Sequence, residues 1–142
     1  MREILFRGKR IDNGEWIIGD LSQHKTGKKF IKCGDARSSF QVDSDTICQF
    51  TGLLDKNGNK IWENDIVAHK YTKYTEEPNE YPPFVAEKKV KKYVVKWDNT
   101  GVYLGYRYHN GRNIFPFKRG SVLNGNDEVI GNVFDNAELL KE

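Results

Sequence analysis

Apolar and polar positions in this chain follow one another in short runs punctuated by turn residues, and no long stretch keeps the three-and-four spacing of an amphipathic helix. The pattern predicts strands and turns. It is clearest from Phe50 to Val67, where Asn57-Gly58 supplies the left-handed backbone positions that a tight hairpin turn requires. Beside that turn, Ile61, Trp62, Ile66 and Val67 are residues that fill a sheet core.

From the N-terminus, Ile4 to Arg10 reads as a strand, Asp12-Asn13-Gly14 as a turn, and Glu15 to Leu21 as a second strand. Ser22 to Lys29 reads as a loop or wide hairpin turn, Phe30 to Lys32 as a short strand, and Ser38 to Asp45 as a connection into Thr46 to Phe50. Glu63-Asn64-Asp65 reads as a turn before Ile66-Val67-Ala68 begins the next strand. Glu76, Glu77, Pro78, Glu80, Pro82 and Pro83 interrupt any ladder, so an irregular Pro/Glu-rich loop is expected near residues 71–87. A tolerated insertion, an adjustable flap and an arm reaching another subunit all fit such a loop. Lys89 to Trp97 and Val102 to Tyr108 then read as strands around a turn at Asp98-Asn99-Thr100-Gly101. Turns at Asn110-Gly111 and Asn124-Gly125 flank the aromatic segment Ile114 to Phe117. Val129 to Phe134 is the last strand, and Asp135 or Asn136 caps a closing turn of helix over Ala137 to Leu140.

These elements predict a single all-β domain over 1–142, built from hairpins as a small barrel or strongly curved antiparallel sheets. Phe6, Gly8, Asn13 and Gly14 recur as Phe50, Gly52, Asn57 and Gly58 at an offset of 44, and Asp20-Leu21 as Asp65-Ile66 at 45. A two-fold hairpin repeat and chance recurrence of common turn residues both account for this.

At 142 residues the chain is long enough to bury about two-thirds of its unfolded surface without a disulfide or metal. Its seven Tyr and three Trp predict a core built partly from large rings with polar edges. Cys33 and Cys48 fit two thiols or one disulfide, and the start Met1 to Arg7 lacks the apolar stretch of a secretion signal, which favours thiols. No apolar run approaches a membrane span, so the expectation is a cytoplasmic protein with no membrane partner.

Candidate chemistry is sparse. His24, His69 and His109 are dispersed, with no second ligand at metal-binding spacing. Asp43 and Asp45 flank a serine in what reads as an exposed turn, and Phe6-Arg7-Gly8-Lys9-Arg10 lacks the Lys-Ser/Thr ending of a phosphate loop. No catalytic, cofactor or metal residue is therefore assigned.

The formal charge of +3 says little, but its distribution says more. Between Lys88 and Arg119 nine bases face one acid, Asp98. Lys88, Lys89, Lys91, Lys92, Lys96, Arg107, Arg112, Lys118 and Arg119 could neutralise phosphates while Tyr103 stacks on an unpaired base. A solvated strand face is the competing account, because alternation sends Lys92 and Lys96 away from Tyr93 and Trp97.

Several segments resemble the YopX family of phage and prophage proteins. They are Arg2-Glu3-Ile4 with Phe6-Arg7, Phe50-Thr51-Gly52-Leu53 with Asp55-Lys56-Asn57-Gly58, Asp65-Ile66-Val67, and Val129-Ile130-Gly131-Asn132 with Asn136 and Glu138-Leu139-Leu140. Where the family pattern more often has Glu-Gly-Asp-Ile-Val, this chain has Asn64, a residue that tolerates left-handed backbone. The resemblance implies a mostly β protein of the host cytoplasm with no established activity or cofactor.

Three classes of function remain. The first is a non-enzymatic accessory protein that engages a phage or host protein, or itself as a homo-oligomer, through strand edges and the proline-rich loop. The second is a nucleic-acid binder using residues 88–119. The third is an enzyme of unknown class with a site assembled across loops.

Overall fold

The computed structural model describes residues 3–34, 38–96, 104–109, 112–116 and 127–140. The chain packs as two compact units, one of Met1–Leu54 with Lys60–Asn64 and one of Asp55–Asn59 with Asp65–Glu142.

The first unit holds a six-stranded antiparallel sheet. In chain order its strands are β1 (Phe6–Lys9), β2 (Trp16–Gln23), β3 (Lys29–Lys32), β4 (Ser39–Val42), β5 (Cys48–Leu54) and β6 (Lys60–Trp62). In space the order is β4-β3-β2-β1-β5-β6. Ile31, Val42, Cys48, Phe50, Ile61 and Trp62 are buried there. The second unit holds β7 (Asp65–Glu76), β8 (Phe84–Lys96), β9 (Leu104–His109), β10 (Arg112–Pro116) and β11 (Asp127–Asn132), in the order β10-β9-β8-β7-β11.

The all-β expectation holds, but neither a barrel nor a strongly curved sheet forms. Both sheets are open, because closure needs a continuous ladder between the first and last strands. In the first sheet β6 has only three residues, and the strand beside it bulges. One isolated bridge, Arg10 to Val42, touches β4 without extending into a ladder. The closing helical turn is a 3-10 turn, Ala137–Leu140, in which Leu139 and Leu140 are half-buried.

The hairpin corners follow from turn chemistry. Gly14 and Gly58 have φ of 72° and 82°, the left-handed region that costs glycine little. The adjoining asparagines do not share it; Asn64 is the one described non-glycine residue with positive φ. The first corner is a four-residue loop closed by Arg10 N–H to the Glu15 carbonyl, and the second a three-residue loop closed by Asp55 N–H to Asn59. The recurrence at an offset of 44 thus maps onto two hairpins with different loops, and its later members diverge: Asp20 is exposed in mid-β2 whereas Asp65 is buried at the start of β7.

The motif Phe50-Thr51-Gly52-Leu53 is a bulge. Between the pairs Phe50–Trp62 and Leu54–Lys60, β5 spends more residues than β6. Gly52 turns left-handed there, while the Thr51 hydroxyl donates to the Ile61 carbonyl at 2.7 Å and accepts from Leu53 N–H at 3.2 Å.

Several features differ from the sequence expectation. Ser38 to Asp45 contains strand β4, followed by a 3-10 turn whose N-cap Asp43 accepts from Asp45 N–H. β7 and β8 continue through much of the expected loop at 71–87, leaving only 77–83 irregular. Among the described residues the largest fully buried side chains are mainly Ile and Val, so aliphatic packing outweighs the aromatic rings at the centre.

Candidate interaction surface

β7 and β8 pair from Ile66–Val94 to Glu76–Phe84. Their inner ends are covered on both faces: Ile66, Val67, Val94 and Val95 are all buried, although neighbours on a strand point to opposite sides. The flanking strands stop early. β11 accompanies β7 only from Asp65 to His69, and β9 accompanies β8 only from Tyr93 to Lys96. Beyond these limits the hairpin is a two-stranded ribbon, and among the described residues no third strand pairs with it.

Side chains on the outer ribbon face water. Tyr74 is 67% exposed, Phe84 52%, Val85 50% and Val90 57%. Tyr74 and Phe84 meet edge to face, with ring centroids 6.2 Å apart. At the tip the Glu77 N–H donates to the Pro83 carbonyl and the Glu80 N–H to Glu77, closing residues 77–83 on themselves. An open cavity of about 520 Å3 there is lined by Glu77, Glu80, Tyr81, Pro82, Phe84 and Val85. Nearer the root, a second cavity of about 550 Å3 is lined by Lys56, Lys70, Lys88, Lys89, Val90 and neighbouring β7 residues.

The lysines expected to form one phosphate-binding face are distributed over the ribbon and its root. Strand alternation places Lys89 and Lys91 on one side of β8 and Lys88, Lys92 and Lys96 on the other. Lys89 pairs with Glu87 at 3.2 Å, Lys91 lies 4.5 Å over the Tyr71 ring, and Lys92 donates to the Leu139 carbonyl at 3.0 Å. Arg107 lies opposite Tyr93 in register and Arg112 opposite His109. Tyr103, Lys118 and Arg119 lie outside the described residues, as do the turns Asn110-Gly111 and Asn124-Gly125.

At the root of the ribbon stands a pair that sequence spacing could not reveal. His69 Nδ1 is 2.6 Å from Asp127 Oδ1, across 58 residues, and Asp127 is buried. Tyr71 and Tyr93 flank the imidazole with ring centroids 6.4 and 6.1 Å away. The signal is only the register, in which Asp127 faces His69 across the β11–β7 ladder.

In the first unit the Arg7 guanidinium lies over the rings of both Trp16 and Trp62, 4.6 and 5.2 Å from their centroids. Burial pushes the neighbouring Cys48 thiol up, against the opposing pull of Asn64 and Arg7. Both cysteines are free, with Cys33 exposed. An open cavity of about 700 Å3 is bordered by Lys9, Arg10, Lys28, Lys29 and Asp43, but Arg10 is already paired to Asp12 at 2.6 Å. Among the described residues no three His, Cys, Asp or Glu side chains cluster as metal ligands, and no helix is long and apolar enough to cross a membrane.

The family model described as YopX protein matches residues 5–141. No curated protein matches the chain.

Proposed function

The chain belongs to the YopX family of phage and prophage proteins, and on that premise we propose that it is an accessory protein acting by association with another protein or with itself. The contact element is the β7–β8 ribbon, and the setting is the cytoplasm of the phage host. The observation that carries this reading is that Tyr74, Phe84 and Val90, large apolar side chains on one face of an ordered ladder, are held in water. Apolar groups gathered on a rigid exposed element mark surfaces that another molecule covers. The motifs shared with the family support it indirectly: Gly52, Asn57-Gly58 and Gly131 serve backbone geometry, which leaves surface contact as the working part.

Affinity recovery from phage-producing cells, with and without nuclease, tests the reading. Protein partners should survive nuclease and be lost from a chain carrying Tyr74→Ser and Phe84→Ser. Retention of the same partners by that variant would remove the ribbon from the account.

One observation favours a second reading, nucleic-acid binding: Lys70, Lys88 and Lys89 border a single cavity that also includes Tyr71. Phosphate contacts would make binding fall steeply with salt. A salt series with single-stranded and duplex DNA, repeated after charge reversal at Lys92, Lys96 and Arg107, distinguishes the two readings and tests the expected 88–119 face.

A further inference from the structure

On the ribbon face that carries Tyr74 and Phe84, charge is sorted by position along the strands. Lys70 and Lys88 lie toward the root of that face and Glu76 toward its tip, with Glu77 and Glu80 just beyond, whereas Lys73, Glu87, Lys89 and Lys91 lie on the other face. Six residues of extended strand separate Lys70 from Glu76, about 20 Å at roughly 3.3 Å per residue. That is more than twice the screening length of about 8 Å at physiological salt. Lys70 and Glu76 of one ribbon therefore cannot neutralise each other.

A second ribbon laid antiparallel meets both needs at once, because reversal brings each tip to the other's root. We propose that two copies of this chain associate in this way, the acidic aromatic tip of each resting on the lysine-lined root of the other across a two-fold axis. The proposal rests on the association reading above and names its partner. The arrangement is isologous, so the same patch serves both copies and the contact closes on itself.

The two cavities are complementary in chemistry. At the tip, Tyr81 and Phe84 can pack the aliphatic stem of a lysine while Glu77 and Glu80 receive its ammonium. At the root, Val90 lies beside Lys70 and Lys88 on the same face, an apolar spot next to positive charge that suits an aromatic residue flanked by glutamates. Between them the exposed Tyr74 would lie against its counterpart and leave water.

Sedimentation velocity on charge-sorted variants tests this. The wild type should dimerise, less tightly as salt rises. A tip variant with Glu76→Lys, Glu77→Lys and Glu80→Lys, and a root variant with Lys70→Glu and Lys88→Glu, should each be monomeric with an unchanged circular-dichroism spectrum. Mixed together they should form a heterodimer, because each tip then faces a root of opposite sign. Carbodiimide coupling of a mixed light and heavy isotope wild-type sample gives a check that needs no variant: root lysines should join tip glutamates between copies. A monomeric wild type, a reversed variant that still dimerises, a mixture that stays monomeric, or coupling confined within single chains would overturn the pairing. Recovery of a different protein through the ribbon of a monomeric wild type would overturn self-pairing while leaving the association reading intact.

Discussion

The Asp55 carboxylate accepts the Val129 backbone N–H at 3.1 Å, although 74 residues separate the two in the chain. The same side chain receives the N–H groups of Asn57 and Asn59, both at 2.8 Å, and the Asn59 amide at 3.3 Å. One carboxylate thus closes a hairpin corner and fastens it to β11.

Asp55 should therefore matter for stability and for its dependence on acid. Burial opposes ionisation more than any other single influence, but the hydrogen bonds together outweigh it and hold the carboxyl below its ordinary value. A depressed folded value means the stabilisation is present above the unfolded value of about 3.9 and is lost as pH falls through the lower folded one. Asp55→Ala is expected to cost roughly 2–3 kcal/mol near neutral pH. Thermal unfolding from pH 6 downward should steepen below about pH 4 in the wild type and stay flatter in Asp55→Asn; parallel profiles would contradict the assignment.

Gly19 tests the closeness of β2 to β3. A methyl group on it would lie 1.9 Å from the Lys32 carbonyl oxygen, which is backbone and cannot rotate aside. Gly19→Ala should destabilise by about 1–3 kcal/mol through forced displacement of the strands. An unfolding midpoint in urea equal to that of the wild type would show the approach to be looser.

The two thiols should differ in reactivity. Cys33 is exposed, whereas Cys48 is buried, donates from Sγ to the Thr46 carbonyl at 3.2 Å, and has its ionisation pushed upward by burial. A disulfide reagent at pH 8 should titrate one thiol rapidly and the second only after denaturant is added. Two fast thiols in the folded protein would place Cys48 wrongly.

Position along the ribbon should separate stability from association. Tyr74→Ser and Phe84→Ser act on exposed rings and should change unfolding by less than about 1 kcal/mol each. Ile66→Ala, at the buried root, should cost roughly 2–5 kcal/mol. Urea unfolding of the three variants would show this contrast, and a large loss at the tip would mean that the ribbon is packed against something in the isolated chain.

Much of the local geometry was legible because its causes are local. Asn64 takes φ of 67° where a glycine would serve, and Gly14 and Gly58 turn left-handed at the anticipated corners. The loop at 71–87 misled for an equally physical reason. Its prolines and glutamates mark the tip at 77–83, but Tyr71, Thr72, Tyr74 and Thr75 on one side and Phe84 and Val85 on the other favour strand, so the ladder runs on to meet them. The proposed contact surface was half visible: its lysines could be counted, while the tip that opposes them in charge was read as part of the interruption.

The amino-acid order alone determined that this chain is built from antiparallel strands and where most of them turn, since backbone preference and the alternation of apolar residues act within a few positions. Only the folded arrangement decided that both sheets stay open, that His69 meets Asp127 and Asp55 meets Val129, and that β7 and β8 outrun their neighbours. Those outcomes depend on which distant strands pair and how far each ladder extends. Register and edge length are properties of two or more segments together, and no single stretch of sequence carries them.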